Sequence, residues 1–455
     1  MSGDPPTGPH LTEVGGEAGG EAVVQVGAPA HGGHAVARLP GDGGEPGRVV
    51  FVRHALPGET VRIRVTEGGE RDRYWRADAV EVLRASPDRV TPPCPVAGPG
   101  GCGGCDLQHV SPPAQRRWKA AVVAEALARI GRLDPAEIPP VTVEALPGPG
   151  AEDGLRWRGR VRFAVGPGGR LGFRRHRSHD VVPVEDCPIT HPDVLATGVT
   201  GARWPGVREV SVAVGDDGRV VRVVPGAGTD PARAVARGWR RPPDTGLVVD
   251  PAGPDGAPLR RGRARVGHDV VGVGVRLRVS HEGFWQPHPG APEAYVAAVR
   301  DVLRPAPGDR LADLYSGVGL FAAALAADVG TEGEVVAVEA DGRAVADARR
   351  SLHDVPRVRL VHARVEDALA AGEVPAGAGV VLDPPRAGAG LAVVDALAGL
   401  SPAAVAYVAC DPAALARDIA RFREHGYRLS SLRAFDAFPM THHVECVAGL
   451  TRVPA

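Results

Sequence analysis

Two patterns of hydrophobic and polar positions divide the chain. From Val23 to about Leu83, and again in the middle of the chain, short segments alternate apolar and polar residues between glycines and prolines. Such alternation is typical of β-strands with one buried face. From Pro292 onward, segments with helical periodicity alternate with short apolar runs, which indicates a parallel sheet covered by helices. We therefore predict an α/β protein with a doubly wound C-terminal domain, an N-terminal small β-barrel and a mostly β central domain.

The predicted domain boundaries follow these changes of pattern. Residues 1–20 contain no cationic start and no long apolar run, so we expect a disordered leader and no signal peptide. A β-barrel is predicted over 21–86, a central domain with a cysteine-rich loop over 87–280, and the doubly wound domain over 281–455. No stretch approaches the roughly 18 apolar residues of a spanning helix. We therefore expect a cytoplasmic protein with no membrane partner.

Charge is distributed unevenly along a chain whose net charge is −1. Residues 151–300 carry 23 basic and 16 acidic residues, and the arginines from Arg156 to Arg177 are interleaved with Trp157, Phe163 and Phe173. Such a pattern suits phosphate pairing by arginine with bases stacked on the aromatic rings. A solvated hairpin face is the alternative.

A glycine turn marks the predicted nucleotide pocket. The segment DLYSGVGLF (313–321) joins the first strand of the C-terminal domain to a helix through Gly317 and Gly319, and Glu339 ends the next strand. Glycines allow close approach of the backbone to a ligand, and a carboxylate at this point binds both hydroxyls of a ribose. The pattern fits NAD as well as S-adenosylmethionine. The segment VVLDPPRAG (380–388) favours the latter, because it places Asp383 over the same pocket.

Cys410 is the predicted nucleophile. In an open α/β sheet, ligands bind outside the carboxyl ends of the strands, where Tyr315, Glu339, Asp383 and Cys410 are all expected. C5 of uracil becomes nucleophilic only after a group such as a thiolate has added at C6, and a base must then remove the C5 proton. Glu445, at the start of a final strand, reaches the same rim if that strand is antiparallel.

These residues resemble those of a known family, the S-adenosylmethionine-dependent RNA 5-methyluridine methyltransferases. The chain is most similar to the iron-sulfur form that has an N-terminal TRAM barrel and acts on 23S ribosomal RNA. The motifs that carry the resemblance are CGGCDLQH (102–109), EDCPI (185–189), GFWQ (283–286), DLYSGVGLF (313–321), LDPPRAG (382–388), YVACDPAALARD (407–418) and FPMTHHVE (438–445). The resemblance implies a Rossmann-like class I methyltransferase domain and an RNA partner, with 23S ribosomal RNA favoured over transfer RNA.

The resemblance also assigns roles to individual residues. It implies Cys410 as nucleophile and Glu445 as proton acceptor. The implied cofactor contacts are Gln286, Tyr315, Glu339 and Asp383, beside the turn glycines Gly317 and Gly319. The implied ligands of a [4Fe-4S] cluster are Cys94, Cys102, Cys105 and Cys187; spacing alone also allows zinc. Asp411 stands where the family usually has asparagine, and we expect its charge to raise the pKa of Cys410 unless it is turned away.

Two other classes of function remain open from the sequence. An NAD-linked iron-sulfur oxidoreductase would use the glycine turn and the cysteines but would leave Cys410 and Glu445 without a role. A non-catalytic RNA-binding factor would keep the fold and lose the activity. The particular RNA, the protein partners and the oligomeric state are not specified by the sequence.

Overall fold

The structure, a computed structural model, describes residues 19–40, 46–69, 71–235, 239–251 and 256–453. Most of the predicted leader lies outside these residues. The chain forms two compact units. Unit 1 runs to Trp118 and includes Arg175–Arg177 and Met440–His442; unit 2 comprises Lys119–Arg174, Ser178–Pro439 and the chain from His443. The two units divide the chain differently from the predicted domain boundaries, which stay a prediction.

Unit 1 is built on the predicted barrel. Its strands close in the order β1-β2-β3-β5-β4. Alternate residues such as Val24, Ile63 and Trp75 are buried inside it, as the period of two requires. The strands are β1 (Glu21–Ala30), β2 (His34–Pro40), β3 (Pro46–Arg53), β4 (Thr60–Glu67) and β5 (Tyr74–Arg84). The following helix, α1 (Pro112–Arg129), crosses from unit 1 into unit 2.

A seven-stranded sheet forms the first part of unit 2, in the order β13-β12-β11-β10-β7-β8-β9, and β14 and β15 form a separate hairpin. The elements are β6 (Val143–Ala145), β7 (Arg160–Val165), β8 (Leu171–Arg174), β9 (Val181–Pro183), α2 (Pro192–Leu195), β10 (Val207–Gly215), β11 (Gly218–Pro225), β12 (Thr245–Val249), β13 (Leu259–Arg261), β14 (Arg265–Asp269) and β15 (Arg276–Ser280).

The aromatic residues of this region are not exposed stacking platforms, so that part of the interpretation is wrong. Trp157 and Phe163 are 2% and 1% exposed. Phe163 packs against the half-buried Phe173 with ring centroids 5.2 Å apart, in the core of the seven-stranded sheet. On β7 the pleat turns Phe163 inward and Arg162 outward, so the alternation serves the core on one face and charge on the other.

The rest of unit 2 is the predicted doubly wound domain. Its eight-stranded sheet has the order β18-β17-β16-β19-β20-β22-β21-β6. The elements are α3 (Ala291–Leu303), β16 (Arg310–Leu314), α4 (Leu320–Asp328), β17 (Glu334–Glu339), α5 (Gly342–Ser351), β18 (Val358–His362), α6 (Val365–Ala370), β19 (Gly379–Leu382), α7 (Leu391–Gly399), β20 (Ala404–Ala409), α8 (Pro412–Glu424), β21 (Tyr427–Asp436) and β22 (Glu445–Arg452).

Strands β16 to β20 are parallel, and β22 is antiparallel to β20. The predicted fold class is therefore confirmed. Because the parallel strands end at one edge, and β22 begins at that edge, the loops after β16, β17, β19 and β20 and the first residue of β22 share one rim.

Candidate active site

Three residues of the turn after β16 adopt left-handed conformations. Tyr315, Gly317 and Gly319 have φ angles of 63°, 55° and 87°. A Cβ atom on Gly319 would lie 2.7 Å from Cδ1 of Leu352, whereas one on Gly317 would meet nothing within 4 Å. Gly319 is thus required by packing of the turn on α5, and Gly317 faces open space where a ligand can approach the backbone.

Glu339 is held in place at the end of β17. One carboxylate oxygen accepts a hydrogen bond from the backbone N–H of Gly317 at 2.8 Å, and the other accepts one from Asp341 at 2.7 Å. These bonds fix the carboxylate beside the glycine turn, which is the position that the ribose contact requires.

Two further carboxyl groups at this rim, those of Asp313 and Asp383, have raised pKa values. Asp313 is fully buried; its Oδ2 accepts from the backbone of Ala322 at 2.8 Å, and its Oδ1 has no partner among the described residues. Burial, reinforced by the charges of Asp383 and Glu339, raises the pKa of Asp313 to about 7. Burial also raises the pKa of Asp383 to about 7. Because these acids crowd together, a cation bound there would be stabilised, and the sulfonium and ammonium groups of S-adenosylmethionine fit this requirement.

The register of the sheet sets Cys410 against Glu445. Ala409 of β20 pairs with Cys446 of the antiparallel strand β22. Cys410 follows Ala409 and Glu445 precedes Cys446, so Cys410 and Glu445 continue the same antiparallel alignment. Cys410 is half-buried and Glu445 is 3% exposed. Burial, followed by the charge of Glu445, raises the pKa of the Cys410 thiol to about 11. Burial and then Asp383 raise the pKa of Glu445 well above its usual range.

Arg386 is a further residue of the site and belongs to the motif LDPPRAG (382–388), from which no role was predicted for it. It follows the two prolines after Asp383, and its charge lowers the pKa of both Cys410 and Glu445. Its guanidinium lies 2.6 Å from Nδ1 of His443. The cation therefore opposes the effect of burial on the two groups that are predicted to react.

Asp411 is the N-cap of α8. Its carboxylate accepts hydrogen bonds from the backbone of Ala413 and Ala414 at 3.0 and 2.9 Å. It is the last of the named causes that raise the pKa of Cys410. The expectation of a raised thiol pKa is therefore met, but the carboxylate is directed to the helix, where asparagine would form the same cap.

Gln286 and Tyr295 are buried near the start of α3. Gln286 lies in the loop before the helix and is 8% exposed. Tyr295 is fully buried and its hydroxyl has no partner among the described residues. The charges of Glu445 and Asp383 contribute, after burial, to a strongly raised pKa of this phenol. The sequence did not indicate Tyr295 as a site residue, because its position in the periodic pattern of α3 predicts only a core residue.

The four predicted cluster ligands do not all lie in one unit. Cys94, Cys102 and Cys105 belong to unit 1, and Cys187 belongs to unit 2. The loop is compact: Ala97 donates to the carbonyl of Cys94 at 3.1 Å, and Cys102 donates to that of Val96 at 2.9 Å. A Cβ on Gly103 would lie 2.6 Å from the backbone nitrogen of His176. A set of thiolate donors in a tight glycine loop suits iron-sulfur or zinc ligation.

Elsewhere, the described residues contain one group of three possible metal ligands within 4.8 Å of one another, namely Asp250, His281 and Glu282. Arg222 pairs with both carboxylates, at 2.5 and 2.6 Å. This group is therefore an ion-pair network.

Comparison with known proteins agrees with this geometry. Two family models match the chain: the TRAM domain over residues 18–80, and a model described as tRNA (Uracil-5-)-methyltransferase over residues 376–453. A Streptomyces avermitilis protein described as an uncharacterized RNA methyltransferase is 48% identical over 438 residues, which cover 94% of this chain and 98% of that protein. The 23S rRNA (uracil(1939)-C(5))-methyltransferase RlmD of Alkalilimnicola ehrlichii is 34% identical over 436 residues, or 89% of this chain and 92% of that one. The chain belongs to the RNA uracil-C5 methyltransferase family.

A solved structure has the same fold. The chain is similar to the Pyrococcus abyssi tRNA (uracil-54, C5)-methyltransferase solved with S-adenosyl-L-homocysteine, with a TM-score of 0.68, 22% identity and coverage of 94% of this chain and 99% of that one. The family models and the relatives together identify the protein as an S-adenosylmethionine-dependent RNA uracil-C5 methyltransferase with a TRAM domain. No helix among the described residues is long and apolar enough to cross a membrane.

Proposed function

We propose that this enzyme methylates C5 of a uridine in 23S ribosomal RNA through a covalent adduct between Cys410 and C6 of the base. The observation that carries the proposal is the alignment of Cys410 with Glu445 at the rim where the glycine turn and Asp383 also end. The target base must leave its helical stack to reach this rim, because C5 and C6 are otherwise covered by neighbouring bases.

Cys410 acts as the nucleophile. Its thiolate forms a carbon–sulfur bond with C6, and the electrons of the C5–C6 double bond move to C5 and the C4 carbonyl as an enolate. Because burial raises the pKa of the thiol to about 11, the thiolate is scarce at neutral pH. The positive charge of Arg386 acts against this shift, and we assign it the role of stabilising the thiolate.

Glu445 acts as the general base. After methylation, C5 carries both a methyl group and a proton, and the Glu445 carboxylate removes that proton. The C5–C6 double bond re-forms as the carbon–sulfur bond breaks, which returns the Cys410 thiolate. A carboxylate whose pKa is raised by burial is a stronger base than an exposed one.

S-adenosylmethionine, when bound, supplies the methyl group on a sulfonium. In the proposal, Glu339 binds the ribose hydroxyls and Gln286 donates to the amino acid end of the cofactor. Tyr315, Gly317, Gly319 and Asp383 line the same rim. The Oδ1 atom of Asp313, which has no partner in the part of the chain that the structure describes, contributes the negative charge that a cationic ligand requires.

The ribosomal substrate and the cluster rest on the relatives and on the resemblance. The RlmD relative is named for 23S ribosomal RNA, whereas the Pyrococcus abyssi protein is named for transfer RNA and is similar in fold. We therefore favour 23S ribosomal RNA and keep transfer RNA as the alternative. We also propose a [4Fe-4S] cluster on Cys94, Cys102, Cys105 and Cys187, with zinc as the alternative, and a cytoplasmic location, where thiols stay reduced.

The test is to trap the adduct. Anaerobically purified protein is incubated with S-adenosylmethionine and 5-fluorouridine-substituted 23S ribosomal fragments or transfer RNA. Fluorine at C5 leaves no proton for Glu445, so the methylated adduct accumulates and is read by denaturing gel and mass spectrometry. We expect an adduct at Cys410 with the ribosomal fragments; an adduct with transfer RNA alone would reverse the choice of substrate.

Two variants separate the roles. Cys410→Ala is expected to bind RNA and form no adduct. Glu445→Gln keeps the shape of the side chain, so with ordinary uridine it is expected to accumulate the methylated adduct while turnover falls by about 10²-fold to 10⁴-fold. If the unaltered protein binds cofactor and RNA but forms no adduct with either RNA, the covalent mechanism is wrong and a non-catalytic factor is favoured. Iron and sulfide analysis of the unaltered protein and of Cys102→Ser tests the cluster.

A further inference from the structure

The segment that joins β19 to α7, residues 383–390, carries two residues of the candidate site. Asp383 begins the segment and Arg386 lies at its middle, with two prolines between them. Burial is the main cause of the raised pKa of Cys410, and the charge of Arg386 opposes this effect. Because prolines donate no backbone hydrogen bond, the position of the segment depends on contacts with the elements around it.

Asp418 of α8 is the central contact. Its side chain is 0% exposed, and its Oδ2 accepts hydrogen bonds from the backbone N–H groups of Ala389 and Gly390 at 2.9 and 3.3 Å. A Cβ atom on Gly388 would lie 2.6 Å from the same oxygen, so only glycine allows this approach. Gly390 is the N-cap of α7 and provides no side-chain acceptor. Asp418 therefore supplies the acceptor that the first turn of α7 requires.

Tyr407 of β20 contacts the same carboxylate. Its hydroxyl donates to Oδ2 of Asp418 at 2.6 Å and accepts from the backbone of Ala389 at 2.8 Å. Burial, followed by the charge of Asp418, raises the pKa of Tyr407, so the hydroxyl keeps its proton. Tyr407 lies three residues before Cys410 in the chain. The strand that leads to the predicted nucleophile therefore also holds the segment that carries Arg386.

Arg417 supports this arrangement from outside. Its guanidinium lies 2.8 Å from Oδ1 of Asp418, and its side chain is 42% exposed. It also donates to the carbonyl of Ala387 at 2.7 Å. Hydrogen bonds that involve charged groups are stronger than those between neutral groups. Tyr407, Arg417 and Asp418 together form what we call the clamp, and it holds the segment from Ala387 to Gly390.

We propose that the three residues of the clamp are positioning residues of the methylation reaction, which hold the segment 383–390 so that Arg386 stays next to Cys410. This inference rests on the proposed function, because it acts through the predicted nucleophile. If the clamp only stabilised the fold, its loss would lower stability without altering the reactivity of the thiol. The positioning role predicts a change at Cys410 that disappears when Arg386 is absent.

The experiment measures alkylation of Cys410 by iodoacetamide in Tyr407→Phe. This change removes one hydroxyl and keeps the ring in the core. Peptide mass spectrometry of the full chain separates Cys410 from the other cysteines. We expect the rate at pH 7.5 to fall about twofold to fivefold, because displacement of Arg386 raises the pKa of the thiol. Arg417→Gln, which alters the partly exposed member of the clamp, is expected to lower the rate as well.

Tyr427→Phe is the matched control. The Tyr427 hydroxyl is also buried and donates to the carbonyl of Pro402 at 3.0 Å, but Tyr427 begins β21 at the edge of the sheet opposite to the rim. Both tyrosine variants lose a buried hydrogen bond, so both are expected to lose stability in urea unfolding. Only Tyr407→Phe should change the alkylation of Cys410.

Combination with Arg386→Gln shows whether the clamp acts through Arg386. If it does, Tyr407→Phe and Arg417→Gln cause no further fall in rate once Arg386 is replaced, whereas independent effects would multiply. Multiplied effects would overturn the proposal. It would also be overturned by an unchanged or faster rate in either folded single variant, or by an equal fall in Tyr427→Phe.

This alkylation requires neither RNA nor S-adenosylmethionine, so its outcome is independent of adduct trapping. A fall in rate that depends on Arg386, without a trapped adduct, would support the clamp and contradict the proposed covalent mechanism. A trapped adduct at Cys410 with unchanged alkylation in the clamp variants would support the mechanism and overturn the clamp.

Discussion

At the scale of single residues, the candidate active site combines groups whose charges oppose one another. Burial raises the pKa of Cys410, Glu445, Asp313 and Asp383, and Arg386 is the cation that lowers it for the first two. The site is therefore expected to respond strongly to removal of this arginine and to binding of a cationic ligand.

The first prediction concerns Arg386→Gln. Removing the cation raises the pKa of Cys410 further, so the thiolate fraction at pH 7.5 falls and the rate of alkylation by iodoacetamide is expected to drop about threefold to tenfold. The rate profile shifts to higher pH, and the two proteins converge above the new pKa. Arg349→Gln, an exposed arginine on α5, is the control. An unchanged profile would remove Arg386 from the site.

The second prediction concerns protons released when cofactor binds. Asp313 and Asp383, with pKa values of about 7, are largely protonated at pH 6, and a sulfonium favours their ionised forms. S-adenosylmethionine affinity is therefore expected to rise between pH 6 and pH 8, with proton release measured by calorimetry in buffers of different ionisation enthalpy. S-adenosylhomocysteine lacks the sulfonium charge and should release fewer protons. Equal release by both ligands would contradict the account.

At the scale of elements, strand and helix ends hold the reactive residues in position. Asp411 caps α8 directly after Cys410. Loss of the cap in Asp411→Ala is expected to lower the free energy of unfolding by about 1 kcal/mol. Asp411→Asn should keep the stability and, because it removes a charge that raises the pKa of Cys410, should alkylate at least as fast. Denaturant unfolding and alkylation rates provide the measurements.

The buried pair of Lys119 and Asp436 joins α1 to the end of β21. The Lys119 side chain is 0% exposed, its Nζ lies 2.5 Å from Oδ1 of Asp436, and it also donates to the carbonyl of Phe438 at 3.0 Å. Lys119→Met leaves a buried carboxylate unpaired, so we expect a loss of about 3–5 kcal/mol in the free energy of unfolding.

The matched test of this pair is the double variant Lys119→Met with Asp436→Leu. Because both charges are then absent, most of the stability should return, as measured by urea unfolding. A double variant as unstable as the single one would show that packing of the lysine stem, and not the charge, is the main contribution.

At the scale of the whole molecule, the basic middle of the chain remains the predicted phosphate-binding surface although its aromatic residues are buried. The side chain of Arg162 is 72% exposed and pairs with Glu209 at 3.4 Å, and Arg170 and Arg174 are exposed. Replacing all three with glutamine is expected to weaken RNA binding and to reduce the slope of log K against log salt by about 2. Arg129→Gln, which changes an exposed arginine on α1, should leave the slope unchanged.

The sequence pattern predicted those helices and strands whose periodicity of apolar residues lies within the element itself. The helical periodicity from Pro292 onward correctly indicated the helices from α3 to α8, except the short helix α6. Strand β6 was also missed, since three residues at Val143–Ala145 join the sheet by pairing with β21 almost 300 positions away. The interleaved arginine and aromatic residues led to the wrong prediction that bases stack on Trp157 and Phe163. The alternation of residue types along a strand does not show which face of the sheet is buried. The role of Gln286 as a cofactor contact was predicted from the family resemblance alone. The role of Arg386 could not be predicted, because it depends on the effect of its charge on Cys410 and Glu445, which are distant in sequence.

Lys119 is the only lysine in the sequence and is buried. The folded chain therefore offers no exposed side-chain amine to acylating reagents or lysine-specific proteases. Because the ε-amine reacts only when the packing around it opens, the rate of its modification measures the local opening of α1 from β21. The protein thus carries a built-in chemical reporter of its own unfolding.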